Sequence, residues 1–125
     1  MKIAYTFFLI LVLGTACSEA QETDNYSLVS AADFEKQIEA AGDDVQLVDV
    51  RTPGEYGNGT INDAENIDFM DSDFHKNVKQ LDLDRPIYLF CQSGGRSKKA
   101  SDMLVEMGAK QVIELDGGYS SWSSR

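Results

Sequence analysis

Histidine is scarce in this 125-residue chain, which holds one, His75, together with two cysteines, one tryptophan and 11 cationic side chains against 21 carboxylates. One imidazole and two distant thiols make no metal-ligand cluster, and no dinucleotide or P-loop glycine pattern is present, so no cofactor is expected. The shortage of cations gives a formal charge of −10. That argues against nucleic acid as a partner and against docking on anionic lipid through a basic patch. Long apolar runs are also missing. The stretch Ile3 to Leu13 has eleven residues, short of the roughly 20 that a spanning helix needs.

That run has another use. Lys2 supplies a positive start, and the small residues Gly14, Thr15 and Ala16 follow the apolar stretch, which is the order of an export signal over residues 1–16. Leu13 to Cys17 resembles a bacterial lipobox, although Gly14 stands where a large aliphatic residue is usual. The resemblance implies that Cys17 is lipidated and becomes the mature N-terminus. The protein would then sit in the periplasm or on the outer membrane face, touching the membrane only through that anchor. A plain secreted, soluble protein is the alternative. Residues 17–25 then form the lipidated cysteine and a polar, acidic tether, and residues 26–125 one domain. If Cys17 is acylated, Cys91 is left as a lone thiol with no disulfide partner, which is unusual for an exported protein and calls for an explanation.

Along the domain, strands alternate with helices. Tyr26 to Val29 is a short first strand, and Ser30 is an N-cap for a helix carrying Phe34, Ile38 and Ala41 up to Gly42. Val45 to Val50 and Pro86 to Cys91 read as buried strands, Ala64 to Phe69 as a weaker one, and Gln111 to Leu115 as the last. Asp73 to Gln80 is a short amphipathic helix and Arg96 to Met107 a longer one, stopped by Gly108. This pattern predicts an α/β domain with a mainly parallel sheet and helices on both faces. Ligands in such sheets bind beyond the carboxyl ends of the strands, and Cys91 ends the Pro86 strand.

Cys91 opens the loop Cys91-Gln92-Ser93-Gly94-Gly95-Arg96. Unpaired N–H groups at the following helix start favour negative charge, and Gly94 and Gly95 let the loop curl into an anion nest. Arg96 adds a permanent cation suited to oxyanions. Lowering a thiol from a pKa of about 8.5 to about 7 needs only roughly 2 kcal/mol, which these surroundings can supply without a histidine. His75 is expected to be a surface residue. An inert cysteine at a strand end is the competing view of Cys91.

Four ordered segments then carry a resemblance to the rhodanese family: Leu47 to Tyr56, Gly59 to Ile67, Pro86 to Ser97, and Leu115 to Trp122. The resemblance implies a rhodanese-like three-layer fold with about five strands, and a sulfurtransferase in which Cys91 carries sulfane sulfur as a persulfide. Its partners would be a small sulfur donor (thiosulfate-like or persulfide) and an acceptor such as cyanide or a thiol, a thiol protein included. The backbone N–H groups from Gln92 through Ser93, Gly94 and Gly95 to Arg96 would cradle the sulfur and any donor oxyanion. Asp49, Arg51 and Glu55 would support the loop, with Arg51 paired to Glu55 and Asp49 steadying the backbone. Thr60 stands where the family often has histidine, and Asp63 where it often has glycine. Trp122 is expected to anchor the core. Four residues separate Cys91 from Arg96, against five in related phosphatases and arsenate reductases, and the shorter loop suits one sulfur atom. A persulfide carrier without turnover, or a small-loop phosphatase or arsenate reductase, are the alternative activities.

Overall fold

The computed structural model describes residues 23–125. The expected signal segment, Cys17 and most of the expected tether lie outside the described residues.

Five parallel strands form one sheet in the order β1-β5-β4-β2-β3. They are β1 (Tyr26–Val29), β2 (Gln46–Asp49), β3 (Glu65–Asn66), β4 (Ile87–Phe90) and β5 (Val112–Leu115). Helices α1 (Ala31–Ala41), α2 (Pro53–Gly57), α3 (Phe74–Asn77), α4 (Gly95–Glu106) and α5 (Gly118–Ser123) alternate with them. Each parallel neighbour must be reached by a crossover, and helices supply it.

The inner strands are buried on both faces, so side-chain alternation sorts them between two cores. Ile87, Leu89 and Cys91 join Val48, Val50, Ala100 and Leu104 on the face covered by α3 and α4. Tyr88 and Phe90 join Leu47, Ile113, Phe34 and Ile38 on the opposite face, beneath α1 and α5. Ser30 caps α1 by accepting from the Asp33 N–H at 3.2 Å, and Gly42 ends it at φ 71°. Both were legible as sequence signals.

Three elements differ from expectation. The strand expected over Ala64 to Phe69 is reduced to Glu65–Asn66, because only Val48 and Asp49 of β2 lie alongside it in register. The helix expected over Asp73 to Gln80 is one α-turn followed by a 3-10 turn at Val78–Gln80. Pro53-Gly54 and Gly57-Asn58-Gly59 are turn signals around Glu55-Tyr56, yet this segment forms a true helix, α2, with a capping box. Thr52 accepts from the Glu55 N–H, while the Glu55 carboxylate accepts from the Thr52 N–H. Trp122 is half-buried and meets Phe34 edge-on at 6.4 Å, so it seals the rim of the core. No helix among the described residues is long and apolar enough to cross a membrane.

Candidate active site

The central strand β4 ends at Phe90, and its successor Cys91 is 1% exposed on the α4 side of the sheet. Gly94 N–H donates to the Cys91 sulfur at 3.1 Å, and the Ser97 hydroxyl lies 3.3 Å from it. Burial pushes the thiol pKa up. The Ser97 hydroxyl and the backbone N–H groups of Ser97, Gly94 and Ser93 outweigh burial, so the thiol lies below its ordinary value. Among the loop residues, the N–H of Gly94 makes the clearest contact with sulfur.

Of the two glycines expected to curl the loop, Gly94 alone needs its freedom, with φ at 118° as N-cap of α4. Gly95 is already the first helical residue. The helix therefore begins one residue earlier than expected, and that places the N–H groups of its first turn beneath the sulfur.

Charged support is arranged differently from the expected Arg51–Glu55 pair. Arg51 instead bonds Asp49, with Nε at 3.0 Å from Oδ1 and Nη2 at 2.7 Å from Oδ2. Asp49 also accepts the Arg51 backbone N–H at 3.0 Å, as expected of a residue steadying the backbone. Asp49 and Arg51 are only 0% and 2% exposed. Their side chains point to the face of α5, where the Arg51 guanidinium lies 4.2 Å from the centre of the Tyr119 ring. Nη2 donates to Gly59 O as well, at 2.6 Å, and Nη1 donates to Gln92 Oε1 at 3.1 Å, which ties Gln92 to the chain just after β2. Thr60 donates to Asp49 at 2.8 Å, so it completes this buried group.

Glu55 faces Arg96 instead. Two bonds, at 2.7 and 2.8 Å, join the Arg96 guanidinium to the Glu55 carboxylate. Arg96 hydrogen bonding holds the Glu55 carboxyl at about 2, against an ordinary 4.5. Arg96 is thus a brace between α2 and the start of α4 rather than a free cation for a donor oxyanion.

The second wall of the site comes from α5. Its Tyr119 N–H donates to Cys91 O at 2.8 Å, and Ser120 N–H donates to Gln92 O at 3.0 Å. Gln92 Nε2 reaches Ser120 Oγ at 2.9 Å. Such close approach requires Gly118, since a Cβ there would stand 2.4 Å from Cys91 O, and φ is 60° besides.

Sequence reasoning passed over Ser97, Gly118, Tyr119 and Glu114. Glu114 had a usable signal: a carboxylate inside the apolar strand Val-Ile-Glu-Leu, with the parity of Val112 and hence on the Cys91 face. His75 lies exposed on α3, away from this group of side chains, as expected.

The rhodanese-like domain family matches residues 30–125 of the chain. The thiosulfate sulfurtransferase GlpE of Shewanella oneidensis is 37% identical over 78 residues, covering 62% of this chain and 75% of that protein. A sulfurtransferase of Allochromatium vinosum is 33% identical over 98 residues, covering 77% and 90%. Among solved structures, a rhodanese-related protein of Thermoplasma volcanium superposes with a TM-score of 0.69 at 30% identity, over 79% of this chain and 92% of that one. The buried cysteine at the end of the central strand, the loop curled at Gly94 and the parallel five-stranded sheet are thus set in a chain that belongs to the rhodanese-like domain family.

Proposed function

We propose that the protein is a sulfurtransferase in which Cys91 takes a sulfane sulfur from a small donor, holds it as a persulfide and passes it to a thiophilic acceptor. The observation that carries this is the thiol's setting: hydrogen-bond donors from the loop and Ser97 outweigh burial and lower its pKa, and no basic side chain hydrogen-bonds the sulfur among the described residues. The thiolate attacks the outer sulfur of a thiosulfate-like donor. The S–S bond breaks, sulfite leaves with its electron pair, and the persulfide keeps the negative charge. Attack by cyanide or a thiolate on the terminal sulfur then restores the Cys91 thiolate. The loop N–H groups that favour the thiolate also favour the persulfide anion, whose charge stays beside the same loop. Burial of Cys91 and the four-residue spacing to Arg96 favour a single sulfur atom as cargo over a tetrahedral phosphate or arsenate.

Incubation with thiosulfate and cyanide is expected to yield thiocyanate, and Cys91→Ala to abolish it. Turnover surviving in that variant overturns the assignment. A mass gain of one sulfur on Cys91 with no turnover of cyanide or small thiols marks a carrier instead, and release of phosphate from an aryl phosphate marks a phosphatase.

The same proposal places this chemistry outside the cytoplasmic membrane, on a lipid carried by Cys17. Support comes from the order of Lys2, the apolar run and the small residues before Cys17. Intact mass of the protein recovered from membranes is expected to show acylation at Cys17, and Cys17→Ser to release it to the soluble fraction. Recovery of an unacylated protein that keeps residues 1–16 overturns this placement.

A further inference from the structure

Among the described residues, Glu114 is the one carboxylate buried on the same face of the sheet as Cys91, at 2% exposure, and sulfur transfer as described above makes no use of it. A buried carboxylate needs donors or a proton. Glu114 has two donors: Tyr26 Oη at 2.6 Å on Oε2 and Ser97 Oγ at 2.7 Å on Oε1. Ser97 is wholly buried, and its hydroxyl oxygen is the same atom that lies 3.3 Å from the Cys91 sulfur. One hydroxyl therefore links the thiol to the carboxylate.

A serine hydroxyl has one proton and two lone pairs. Its alternative acceptor, Gly94 O, is 3.2 Å away, against 2.7 Å for the Glu114 carboxylate, so the proton points to Glu114. The lone pairs then face Cys91, where they accept from S–H. The chain S–H to Oγ–H to carboxylate is thus oriented in one direction, from Cys91 to Glu114.

We propose that Glu114 is the internal proton acceptor for Cys91, taking the thiol proton through the Ser97 hydroxyl and keeping it while the thiolate works. The S–H bond breaks and its proton binds Ser97 Oγ. The former Ser97 proton passes to Glu114 Oε1, leaving a thiolate, an intact serine and a neutral carboxylic acid. Ser97 then donates to the thiolate. One proton and one negative charge are conserved within the site, so no histidine and no bulk water are needed. The groups facing this chain are Tyr26 from β1, Ser97, Lys98 and Asp102 from α4, and Cys91 from the end of β4. Lys98 is paired with Asp102 at 2.6 Å and sits 4.3 Å from the centre of the Tyr26 ring, so it supplies a cation at the far end. Burial holds the Glu114 carboxyl above its ordinary value, against the pull of Tyr26, Ser97 and Lys98, as a proton acceptor in this place requires. Glu114 touches no reacting atom, so it is a positioning residue that acts through Ser97.

The inference rests on a Cys91 thiolate being the working form, and its test reads protonation rather than turnover. Loss of sulfur transfer and loss of the relay are therefore separate results. Infrared spectra of the full protein are expected to show a protonated-carboxyl C=O stretch at neutral pH that Glu114→Gln removes. Blocking Cys91 with iodoacetamide in the wild-type protein cancels the thiolate charge, and the midpoint of that band is expected to fall by about one pH unit or more. The rate of Cys91 alkylation against pH is expected to rise in two steps in the wild type and in one step in Glu114→Gln. The relay is overturned by absence of the band at neutral pH, by a midpoint indifferent to alkylation, or by an alkylation profile of unchanged shape in Glu114→Gln. The blocked wild-type protein keeps the infrared test independent of whether the variant folds.

Discussion

Arg96 and Glu55 meet fork to fork, Nη1 to Oε2 at 2.7 Å and Nη2 to Oε1 at 2.8 Å. The pair joins the first turn of the helix after Cys91 to the capping box of α2, so one carboxylate serves two helix starts at once. The Glu55 carboxyl titrates at about 2 in the fold against an ordinary 4.5, chiefly through Arg96. A carboxyl depressed by folding stabilises the protein above its ordinary value, and that contribution is lost as pH falls through the folded value.

Acid unfolding followed by circular dichroism is therefore expected to show a Glu55 contribution fading between about pH 4.5 and about pH 2. Glu55→Gln removes it. At neutral pH the variant loses about 1 kcal/mol, the scale of a helix cap. Both ends of the pair are partly exposed, at 25% and 33%, so added salt is expected to shrink the difference. An acid transition identical in variant and wild type would contradict the brace.

Asp49→Asn is expected to cost more. Arg51 stays charged and buried, and removing one partner of a buried pair costs about 3–5 kcal/mol. Urea titration reads the change as a lower midpoint. Thr60→Val removes one donor to Asp49 while Arg51 remains, for about 1 kcal/mol. Equal losses in the two variants would mean that Asp49 acts as a hydrogen-bond acceptor and not as a counter-charge.

Gly118→Ala places a Cβ against Cys91 O and forces alanine into a left-handed conformation. The expected cost is about 2 kcal/mol or more. A separable effect falls on Cys91: the loop shifts, the sulfur loses alignment with Gly94 N–H, and alkylation at neutral pH slows. Full alkylation rate in a folded Gly118→Ala protein would show that α5 does not hold the loop.

The sheet, its parallel character and the place of Cys91 were legible because they rest on local signals. Val-Asp-Val and Ile-Tyr-Leu-Phe read as buried strands, Ser30 and Gly42 as helix ends, and Cys91 as a strand-to-helix junction. What escaped depends on side chains meeting across the fold. Arg51 lies four residues before Glu55, a spacing that suggests a pair, yet α2 starts between them and turns Glu55 outward to Arg96. Asp49 sits two residues from Arg51 on a strand whose alternation brings both to one face, which is the geometry that wins. The link from Glu114 to Cys91 runs through Ser97 and joins two strands with the helix between them. Strand parity hints at it, but only the packed α4 closes it.

The two bonds from the start of α5 to the carbonyls of Cys91 and Gln92 also bear on when the site comes into being. Along the chain, α5 is the last element, so closing the loop waits on the final segment to fold. Until α5 docks, the carbonyls of Cys91 and Gln92 lack these partners and the loop lacks one wall. The site therefore matures late: a chain cut short before α5 holds the Cys91 loop without its second wall.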